Sequence, residues 1–457
     1  MERIFDTVVI GAGPAGEVCA GRLGAAGLDV ALVERELVGG ECSYFACMPS
    51  KALLRPAEAL AEVARIPGAR EAVTGTLDVE AVLRRRDEVI HDLDDSAQLP
   101  WLEERNVTLV RGHGVLDGER RVRVGDDVLV ARRAVVIAAG SAAEVPPIAG
   151  LAEAQPWTSR EVTTAKAAPG RLAILGGGVV AVEMAQAWSS LGSRVTLIQR
   201  GERLLNREEQ FAAELVAAAL ADRGVDVRTG ARIARVDRVG GEVVIALENG
   251  QPIAADEVVV AMGRRPSTRS LGLETVGLIP GQSVEVDESL RVPGLPWLYA
   301  IGDVNGRSLL THMGKYQGRL AADQILGRAD RVVHPRADGL HSPRVIFTDP
   351  QVAAVGHTLE SALAAGIEAR AVDQQTSGNA GGSFTGRGAP GTTRLVVDTE
   401  RGVLVGATFS GAEIADFLHA ATIAVVAEVP LELLWHAVPS FPTRSEVWLR
   451  LLEEVGL

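Results

Sequence analysis

The segment TVVIGAGPAGEVCAGRLGAAGLDVALVE, Thr7–Glu34, decides the fold of this chain. An apolar strand leads into Gly11, Gly13 and Gly16, a helix-like stretch follows, and a second apolar run ends at Glu34. Three glycines in this spacing, between two strands and with an acid about 20 residues on, predict a dinucleotide-binding unit. The first glycine permits a tight turn, the second lets the backbone approach a pyrophosphate at the helix N-terminus, and the third lets the helix pack on the strand. The acid can accept hydrogen bonds from a ribose.

The same pattern recurs in LAILGGGVVAVEMAQAWSSLGSRVTLIQR, Leu172–Arg200. Here Gly176, Gly178 and Ala181 occupy the three glycine positions. Two dinucleotide-binding units in one chain imply two dinucleotides, and the reasonable pair is a flavin that stays bound and a nicotinamide that comes and goes.

The second unit ends differently from the first, with Gln199 and Arg200 where the first has an acid. An acid at this position repels a 2′-phosphate, whereas an arginine attracts one. The sequence therefore predicts NADPH, bound by Arg200 with help from Arg203 or Arg207. The alternative is that these arginines form an ordinary solvated face.

Composition limits the classes of function. The chain has 457 residues, 47% of them hydrophobic, which suggests about three domains. A net charge of −13 argues against nucleic acid as a partner. No apolar run reaches the ~18 residues of a membrane span, and the N-terminal residues lead directly into a strand-like segment rather than a signal peptide. Only three cysteines are present, so we expect a cytoplasmic protein without a disulfide scaffold.

Two of those cysteines, Cys42 and Cys47, lie close together in GGECSYFACMPSK, residues 39–51. A regular helix would hold them about 8–9 Å apart, beyond the ~7 Å limit of a disulfide, so a bridge requires that a helix starts or is distorted between them. Pro49 suits a first helical turn, which would put Cys47 near a helix N-terminus, where a thiolate is stabilised. The alternative is two buried cysteines that never pair. No nearby His or Cys completes a metal site, and none is expected.

With these motifs the chain resembles the flavoprotein disulfide reductases, which include glutathione reductase, dihydrolipoamide dehydrogenase, mercuric reductase and soluble transhydrogenase, over nearly its whole length. The resemblance implies that Cys47 is the thiol facing the flavin and that Cys42 is the interchange thiol that meets the substrate. It also implies that Lys51 sits by the flavin's reactive nitrogen and pairs with Glu183 of the AVEMA segment.

Further segments carry the resemblance. VVIAAGS (Val135–Ser141) looks like the strand that re-enters the FAD domain, VAMGRRP (Val260–Pro266) closes the NADPH domain, and LYAIGDVNGRSLLTHM (Leu298–Met313) is similar to the family's second FAD motif. There Asp303 would bind the ribityl–phosphate region, and residues 310–312 would follow the edge of the flavin ring. The resemblance adds these cofactor-binding candidates: Gly40, Gly140, Gly263, Gly302, Asp303, Leu310, Thr311 and His312.

The expected fold is α/β, with two Rossmann-like dinucleotide-binding domains and an α+β dimerisation domain at the C-terminus. We predict an FAD-binding domain in two parts, 1–150 and 271–335, an NAD(P)H-binding domain at 151–270 and an interface domain at 336–457. PRVIFTDPQVAAVGHT (Pro343–Thr358) looks like the opening of that last domain, so a homodimer is implied.

One segment departs from the family. Disulfide-reducing members carry H-P-T-x-x-E, in which the histidine is the acid/base for the interchange thiol. Here HAVPSFPTRSE runs from His436 to Glu446, and Pro442, Thr443 and Glu446 match the pattern, so the histidine position falls on Phe441. Loss of a positioned acid/base typically costs about 10²–10⁴ in rate. The alternatives are that His436, or a water held by Glu446, substitutes for it.

The sequence therefore predicts an FAD-dependent NADPH oxidoreductase with a redox-active Cys42–Cys47 disulfide. Its small-molecule acceptor is left open between a small disulfide and a quinone, metal or dye that takes electrons at the flavin. Alternatives are a redox-sensing, flavin-binding partner protein with little turnover, and an enzyme like dihydrolipoamide dehydrogenase or mercuric reductase. Arg200 and Phe441 point away from a lipoamide dehydrogenase, and no cysteine follows Cys47 to supply the C-terminal pair of mercuric reductases.

Overall fold

The structure is a computed structural model that describes residues 1–328 and 330–457. Its helices are α1 (Pro14–Ala25), α2 (Gly40–Tyr44), α3 (Cys47–Arg65), α4 (Val79–Val89), α5 (Leu99–Glu103), α6 (Ser159–Thr164), α7 (Val179–Ser190), α8 (Gln210–Asp222), α9 (Thr311–Ile325), α10 (Leu359–Ala364), α11 (Leu418–Val426), α12 (Leu431–Leu434) and α13 (Val447–Val455).

The strands come in two groups along the chain. Residues 1–260 contain β1 (Glu2–Ile10), β2 (Val30–Glu34), β3 (Val107–Arg111), β4 (Gly114–Leu116), β5 (Arg121–Val124), β6 (Asp127–Ile137), β7 (Ser141–Ala143), β8 (Arg171–Leu175), β9 (Arg194–Ile198), β10 (Asp226–Arg228), β11 (Ile233–Val239), β12 (Glu242–Leu247), β13 (Ile253–Ala255) and β14 (Glu257–Val260). The rest of the chain contains β15 (Arg264–Pro266), β16 (Arg291–Val292), β17 (Leu295–Ala300), β18 (Arg344–Ile346), β19 (Gln351–Gly356), β20 (Ala369–Gln375), β21 (Thr392–Asp398) and β22 (Val403–Gly411).

The chain divides into two compact units. The first unit comprises Met1–Pro49, Asp87–Glu144 and Gly263–Gly339, and the second comprises Ser50–Arg86, Val145–Met262 and Leu340–Leu457. The domain boundaries expected from the sequence remain predictions.

The first unit is built on one sheet, in the order β16-β17-β6-β1-β2-β3, with β4 and β5 attached beside β6. The pairs from β17 to β3 are parallel. Every residue of β2 is buried, as expected for a strand covered on both faces. One apolar cluster, with Val9, Leu32 and Leu320, covers one face, and another, with Val8, Val33 and Leu298, covers the other.

The second unit contains the second nucleotide-binding sheet, β10-β9-β8-β14, whose pairs are parallel. Helix α7 packs beside it, and Trp188, which is fully buried, donates its indole N–H to the Val162 carbonyl at 3.1 Å. A three-stranded antiparallel sheet, β11-β12-β13, belongs to the same unit.

The C-terminal part of the second unit is a five-stranded antiparallel sheet, β18-β19-β22-β21-β20. Helices α11 and α13 bury their apolar faces on it through Leu418, Val425 and Leu451. Parallel sheets with helices and an antiparallel C-terminal layer confirm the predicted α/β class with its α+β C-terminal part. No helix among the described residues is long and apolar enough to cross a bilayer.

Candidate active site

The first glycine turn joins β1 to α1 in the first unit. Gly11 has φ +104°, and a Cβ there would lie 2.4 Å from the Ala138 carbonyl oxygen. A Cβ on Gly16 would lie 1.9 Å from the Gly11 carbonyl oxygen, so α1 can begin close to the turn only because that position is a glycine. Gly13 instead faces open space at the start of α1. This open helix N-terminus fits the pyrophosphate of a dinucleotide.

Glu34 ends β2 and is anchored to the same turn. One carboxylate oxygen accepts a hydrogen bond from the Ala12 N–H at 2.7 Å, and the other accepts one from the Glu36 N–H at 2.7 Å. These two bonds place the carboxylate beside the glycine turn. Its contact with a ribose remains a prediction.

Asp303 lies where the chain enters the last helix of the first unit. Ser141 donates its hydroxyl hydrogen to Asp303 Oδ2 at 2.5 Å, and the Arg264 guanidinium donates to Ser141 Oγ at 2.7 Å. The Gly302 N–H donates to Gln317 Oε1 at 2.8 Å, which fixes the backbone before Asp303. Sequence analysis named Asp303 and Gly302 but missed Ser141, Arg264 and Gln317, which hold them in place.

Gly140 and Gly263 each precede a short strand that carries one of these side chains. Their φ values are +70° and +135°, and the strands β7 and β15 that follow them pair antiparallel, with Pro266 opposite Ser141. The two glycines therefore position Ser141 and Arg264 for the contact with Asp303.

The cysteine pair lies across a break between two helices. Helix α2 ends at Tyr44, Phe45 has φ −132°, and α3 begins at Cys47. Neither Cys42 nor Cys47 forms a disulfide within the described residues. The thiols are hydrogen-bonded to each other, and this bond, followed by burial, raises the pKa of Cys42, while Thr311 and the charge of Lys315 act to lower it. A helix starts between the cysteines, as the spacing argument requires for a disulfide, and Cys47 occupies a helix N-terminus.

Thr311 is the first residue of α9, with Leu310 as its N-cap. Its Oγ1 lies 3.4 Å from Cys47 Sγ. The first turn of α9 thus lies against the thiol that the family resemblance assigns to the flavin. Neighbouring His312 is exposed.

Lys51 and Glu183 form an ion pair in the second unit. Lys51 Nζ lies 2.8 Å from Glu183 Oε2, and the other oxygen of Glu183, which is almost fully buried, accepts a hydrogen bond from the Phe347 N–H at 2.9 Å. The ammonium also lies 4.7 Å from the centroid of the Phe347 ring. The ring and the carboxylate together hold the ammonium in one place. Sequence analysis missed Phe347, which lies far along the chain from both partners.

The second glycine turn has the same geometry as the first. Gly176 has φ +121°, a Cβ there would lie 2.2 Å from the Ala261 carbonyl oxygen, and Gly178 faces open space before α7. Ala181 is fully buried, so an alanine is accommodated at the third position. This turn fits a second dinucleotide.

The residues after β9 present free positive charge. Gln199 donates to the Arg203 carbonyl oxygen at 3.5 Å and is partly buried. Arg200 and Arg207 are exposed and make no ion pair within the described part of the chain. Two cations with no ion pair among the described residues are thus available for an anionic group bound by the second nucleotide-binding unit.

One carboxylate oxygen in the C-terminal segment has no hydrogen-bond partner among the described residues. The Phe441 side chain is 77% exposed. Glu446 Oε2 is buried and has no hydrogen bond in residues 1–328 and 330–457. His436 lies exposed just after α12, its N–H donating to the Leu433 carbonyl oxygen, and the structure as described gives it no bond to Glu446. The structure therefore does not join His436 to the carboxylate that a family histidine would meet.

A chain with two dinucleotide-binding turns and a close pair of thiols is arranged for electron transfer between nucleotide cofactors and sulfur, which is the chemistry of an oxidoreductase. The chain belongs to the pyridine nucleotide-disulphide oxidoreductases: the model of this family matches residues 5–318, and the model of the family's dimerisation domain matches residues 342–451. This confirms the predicted membership of the flavoprotein disulfide reductases, a family that depends on FAD and NAD(P)H.

Curated relatives carry two different names. The mercuric reductase of Staphylococcus aureus is 31% identical over 453 residues, covering 97% of this chain and 81% of that protein. The dihydrolipoyl dehydrogenase of Thermus scotoductus is 31% identical over 452 residues, covering 97% of this chain and 96% of that protein. Among solved structures, the Cu(II) complex of the HOCl-induced flavoprotein disulfide reductase RclA from Escherichia coli matches with a TM-score of 0.86 and 26% identity, over 99% of this chain and all of that one.

Proposed function

We propose that this protein passes electrons from NADPH, by way of FAD and the Cys42–Cys47 pair, to a small acceptor, and that it serves quinone- or metal-type acceptors better than disulfides. The observation that carries this proposal is an exposed Phe441 at the position of the family's histidine, together with a buried Glu446 Oε2 that has no hydrogen bond among the described residues. When bound, FAD supplies the transfer of two electrons between a nicotinamide and the cysteine pair.

For FAD, the candidate contacts lie in the first unit. The open N-terminus of α1 at Gly13 would hold the pyrophosphate, Glu34 would hold a ribose, and Asp303, oriented by Ser141, would hold the ribityl–phosphate region. Glu34 and Asp303 are each held by hydrogen bonds within the protein, which supports the proposal that they contact the cofactor.

The preference for NADPH is proposed from charge. Arg200 and Arg207 are exposed cations beyond β9, where an NAD-binding unit usually carries an acid. A guanidinium can bind a 2′-phosphate with two hydrogen bonds. NADH has no 2′-phosphate, so these arginines would not strengthen its binding.

Disulfide exchange requires protons at defined atoms. The Cys42 thiolate attacks one sulfur of an external disulfide and displaces the first thiolate. The Cys47 thiolate then attacks Cys42 and displaces the second, so that the enzyme pair is oxidised and two thiols leave with two protons. Phe441 can supply no proton to the leaving thiolates. Acceptors that take electrons without a leaving thiolate avoid this requirement, which is why we expect them to be favoured.

Metal ions are included in the proposed acceptor class because of the relatives. One relative is named a mercuric reductase, and RclA was solved as a Cu(II) complex. Within the described residues no group of three or more His, Cys, Asp or Glu side chains is arranged to hold a metal ion. A metal ion is therefore proposed as a substrate that takes electrons at the flavin, and not as an ion held in a resident site.

We further propose that the protein works as a homodimer. The dimerisation-domain model matches residues 342–451, and this region exposes Leu433, Val438 and Phe441. Exposed apolar side chains close together in sequence are typical of a protein interface. A cytoplasmic location, inferred from the scarcity of cysteine, also stays a proposal.

An acceptor panel tests the proposal. FAD-loaded protein is given NADPH with lipoamide, glutathione disulfide, a quinone, a Cu(II) salt or a redox dye. Faster turnover of the quinone, metal or dye than of either disulfide is expected, and rapid turnover of a disulfide would contradict it. A protein that is reduced once and then stops with every acceptor would instead be the redox sensor.

His436→Ala tests whether His436 supplies the proton that the family's histidine would otherwise supply. If disulfide reduction is present and this variant loses it while quinone reduction is retained, His436 has replaced the missing histidine. If both activities are unchanged, His436 has no part in the chemistry.

A further inference from the structure

The C-terminal part of α1 and two segments near it form a groove in the first unit. Its volume is about 470 Å³, within the range of small-molecule sites. The walls come from α1 and the residue after it, from α5 and its C-terminal flank, and from the chain that follows α9. The side chains that give the groove its chemistry are Val18, Arg22, Trp101, Arg105, Leu326 and Arg328.

The groove lies toward the end of α1 that is opposite the glycine turn. Helix α1 begins at Pro14, next to Gly13, and its 12 residues span roughly 18 Å. The lining starts at Val18 and reaches Ala26, which follows the last residue of the helix. A molecule in the groove therefore leaves the helix N-terminus, the candidate pyrophosphate site, free.

Two glycines of α1 let one wall of the groove come close to the helix. A Cβ on Gly21 would lie 2.4 Å from Trp101 Cη2, and a Cβ on Gly24 would lie 2.1 Å from the Arg105 carbonyl oxygen. The guanidinium carbon of Arg105 lies 4.4 Å from the centroid of the Trp101 ring, and its Nη1 donates to the Trp101 carbonyl oxygen at 3.2 Å. The indole and this guanidinium are thus held together beside α1 by packing within the protein.

Positive charge is in excess where the chain leaves α9. The buried Asp323 carboxylate accepts from Arg22 Nε at 2.9 Å and from Arg22 Nη2 at 2.7 Å, and it also accepts from Arg328 Nη1 at 2.6 Å. Arg331 lies 3.8 Å from the same carboxylate. These three guanidiniums pair with no other carboxylate among the described residues, so their charge exceeds that of Asp323 by two.

Arg105 adds a further cation that is only weakly neutralised. Its ion-pair partner among the described residues is Glu104 at 3.7 Å, and the Glu104 side chain is 73% exposed, so water screens the pair. The described residues that line the groove include no Asp or Glu. Because the chain as a whole has a net charge of −13, this local excess of cations does not follow from composition.

The donors of two arginines are available to a ligand. Arg22 commits its Nε and Nη2 to Asp323. The guanidiniums of Arg105 and Arg328 each make one hydrogen bond in residues 1–328 and 330–457, so most of their N–H groups are open. A guanidinium with open donors binds a carboxylate or a phosphate through two parallel hydrogen bonds.

The rest of the lining is apolar. Val18, Ala25, Ala26 and Leu326 contribute aliphatic surface, and Trp101 contributes a partly buried aromatic ring. Covering such a surface with an apolar body is favourable, and a flat aromatic body packs well against an indole. The groove therefore combines an apolar lining with guanidiniums that lack full neutralisation.

We propose that this groove binds a small amphipathic anion, which places a flat aromatic body on the apolar lining and a carboxylate or phosphate at Arg105 and Arg328. The inference goes beyond the proposed function, since the groove uses none of the residues proposed for FAD, the nicotinamide or the acceptor. The ligand would bind alongside FAD rather than in its place, because the groove and the glycine turn lie toward opposite ends of α1.

Probes of one shape and three charges test the site. The full chain, loaded with FAD and saturated with NADP⁺ so that the dinucleotide sites are filled, is titrated in a calorimeter with 2-naphthoate, 2-naphthylmethanol and 2-naphthylmethylammonium. 2-Naphthoate should bind once per chain and about tenfold more tightly than the neutral and cationic probes, as expected for a hydrogen bond to a charged group. 2-Naphthyl phosphate then shows which acid the groove prefers, and tight binding of either acid supports the proposal.

Matched variants locate the bound probe. Arg105→Gln and Arg328→Gln should each weaken 2-naphthoate about fivefold and leave 2-naphthylmethanol unchanged, since they remove donors and not apolar surface. Trp101→Leu should weaken both probes. Arg132→Gln, which changes an exposed arginine of the same unit outside the groove, should alter neither affinity.

The inference is wrong if neither acid binds, if the three charge types bind equally, or if Arg105→Gln and Arg328→Gln leave the affinity for 2-naphthoate unaltered. It is also wrong if inorganic phosphate alone binds as tightly as 2-naphthyl phosphate, because the apolar lining would then contribute nothing. If Trp101→Leu does not fold, the two arginine variants still decide. Failure of the proposed function would leave all these outcomes unchanged, since no electron acceptor takes part in the titration.

Discussion

Replacing Phe441 by histidine should raise the disulfide-reductase activity of this protein, which the proposed function predicts to be weak or absent in the wild type. In the family pattern H-P-T-x-x-E, the histidine stands at this position and the glutamate at Glu446. The Glu446 carboxylate is already present, and its buried Oε2 has no partner in the described chain. Phe441→His supplies the missing proton carrier in the same segment as that carboxylate.

The structure sets the expected magnitude. The Phe441 side chain is 77% exposed in the single chain, so its replacement should change the stability of the isolated subunit by no more than about 0.5 kcal/mol. A fully positioned acid/base is worth about 10²–10⁴ in rate. An imidazole introduced at position 441 would be less well positioned than a native catalytic histidine. We therefore expect about a tenfold gain in the rate of disulfide reduction, which corresponds to about 1.4 kcal/mol of transition-state stabilisation.

The assay compares kcat/KM for lipoamide and glutathione disulfide with kcat/KM for a quinone, in wild type and in Phe441→His. Only the disulfide values should rise. They should also acquire a dependence on a group that titrates near pH 6.5, the ordinary pKa of histidine. Phe441→Leu, which carries no proton, is the matched control, and Phe441→His combined with Glu446→Gln should lose most of the gain.

Two results would refute the reasoning. If Phe441→His folds and binds FAD but reduces disulfides no faster than Phe441→Leu, the missing histidine is not what limits exchange. If the kcat/KM values for the quinone and for the disulfides rise equally, the substitution acts through cofactor binding or through the dimer and not through proton transfer.

Three other perturbations have defined outcomes. Cys42→Ser should lower the NADPH consumed in an anaerobic titration by the two electrons of the disulfide couple, and an unchanged uptake would show that the pair is not redox-active. Arg200→Ala should lower the ratio of kcat/KM for NADPH to that for NADH by about tenfold, since a charge-assisted bond to a phosphate is worth about 1.5–3 kcal/mol, and an unaltered ratio would contradict the NADPH proposal. Gly318→Ala should lower the free energy of unfolding by about 1–3 kcal/mol in a urea titration, because a Cβ there would lie 2.6 Å from the Ala15 carbonyl oxygen. Gly75→Ala, where a Cβ would meet nothing within 4 Å, is the control, and equal losses in the two variants would refute the steric argument.

The two glycine turns were predictable because their geometry is local. Gly11 and Gly176 have φ values of +104° and +121°, which only glycine adopts easily, and the strand and helix on either side are adjacent in sequence. The helix break between Cys42 and Cys47 was also predictable from the sequence. Two residues five positions apart in a regular helix are too far from each other to form a disulfide, so a disulfide requires a break between them.

The groups that hold the site together were not predictable in the same way. Ser141 lies 162 residues from Asp303, and the Phe347 N–H lies 164 residues from the Glu183 oxygen that it meets. Ser141 and Phe347 lie in segments that carry the family resemblance, but nothing in those segments marks them as partners of Asp303 and Glu183. A serine hydroxyl and a backbone N–H acquire such a role only from the element packed against them.

The sequence by itself therefore determined the α/β class, the two nucleotide-binding turns, the spacing of the thiols and the absence of a histidine at Phe441, since each depends on residues a few positions apart. The tertiary structure alone decided that Thr311 lies against Cys47, that Ser141 donates a hydrogen bond to Asp303, and that Glu446 keeps a buried oxygen without a partner among the described residues. The physical reason is that the protonation and reactivity of a side chain depend on burial and on nearby charges, and these come from segments far apart along the chain.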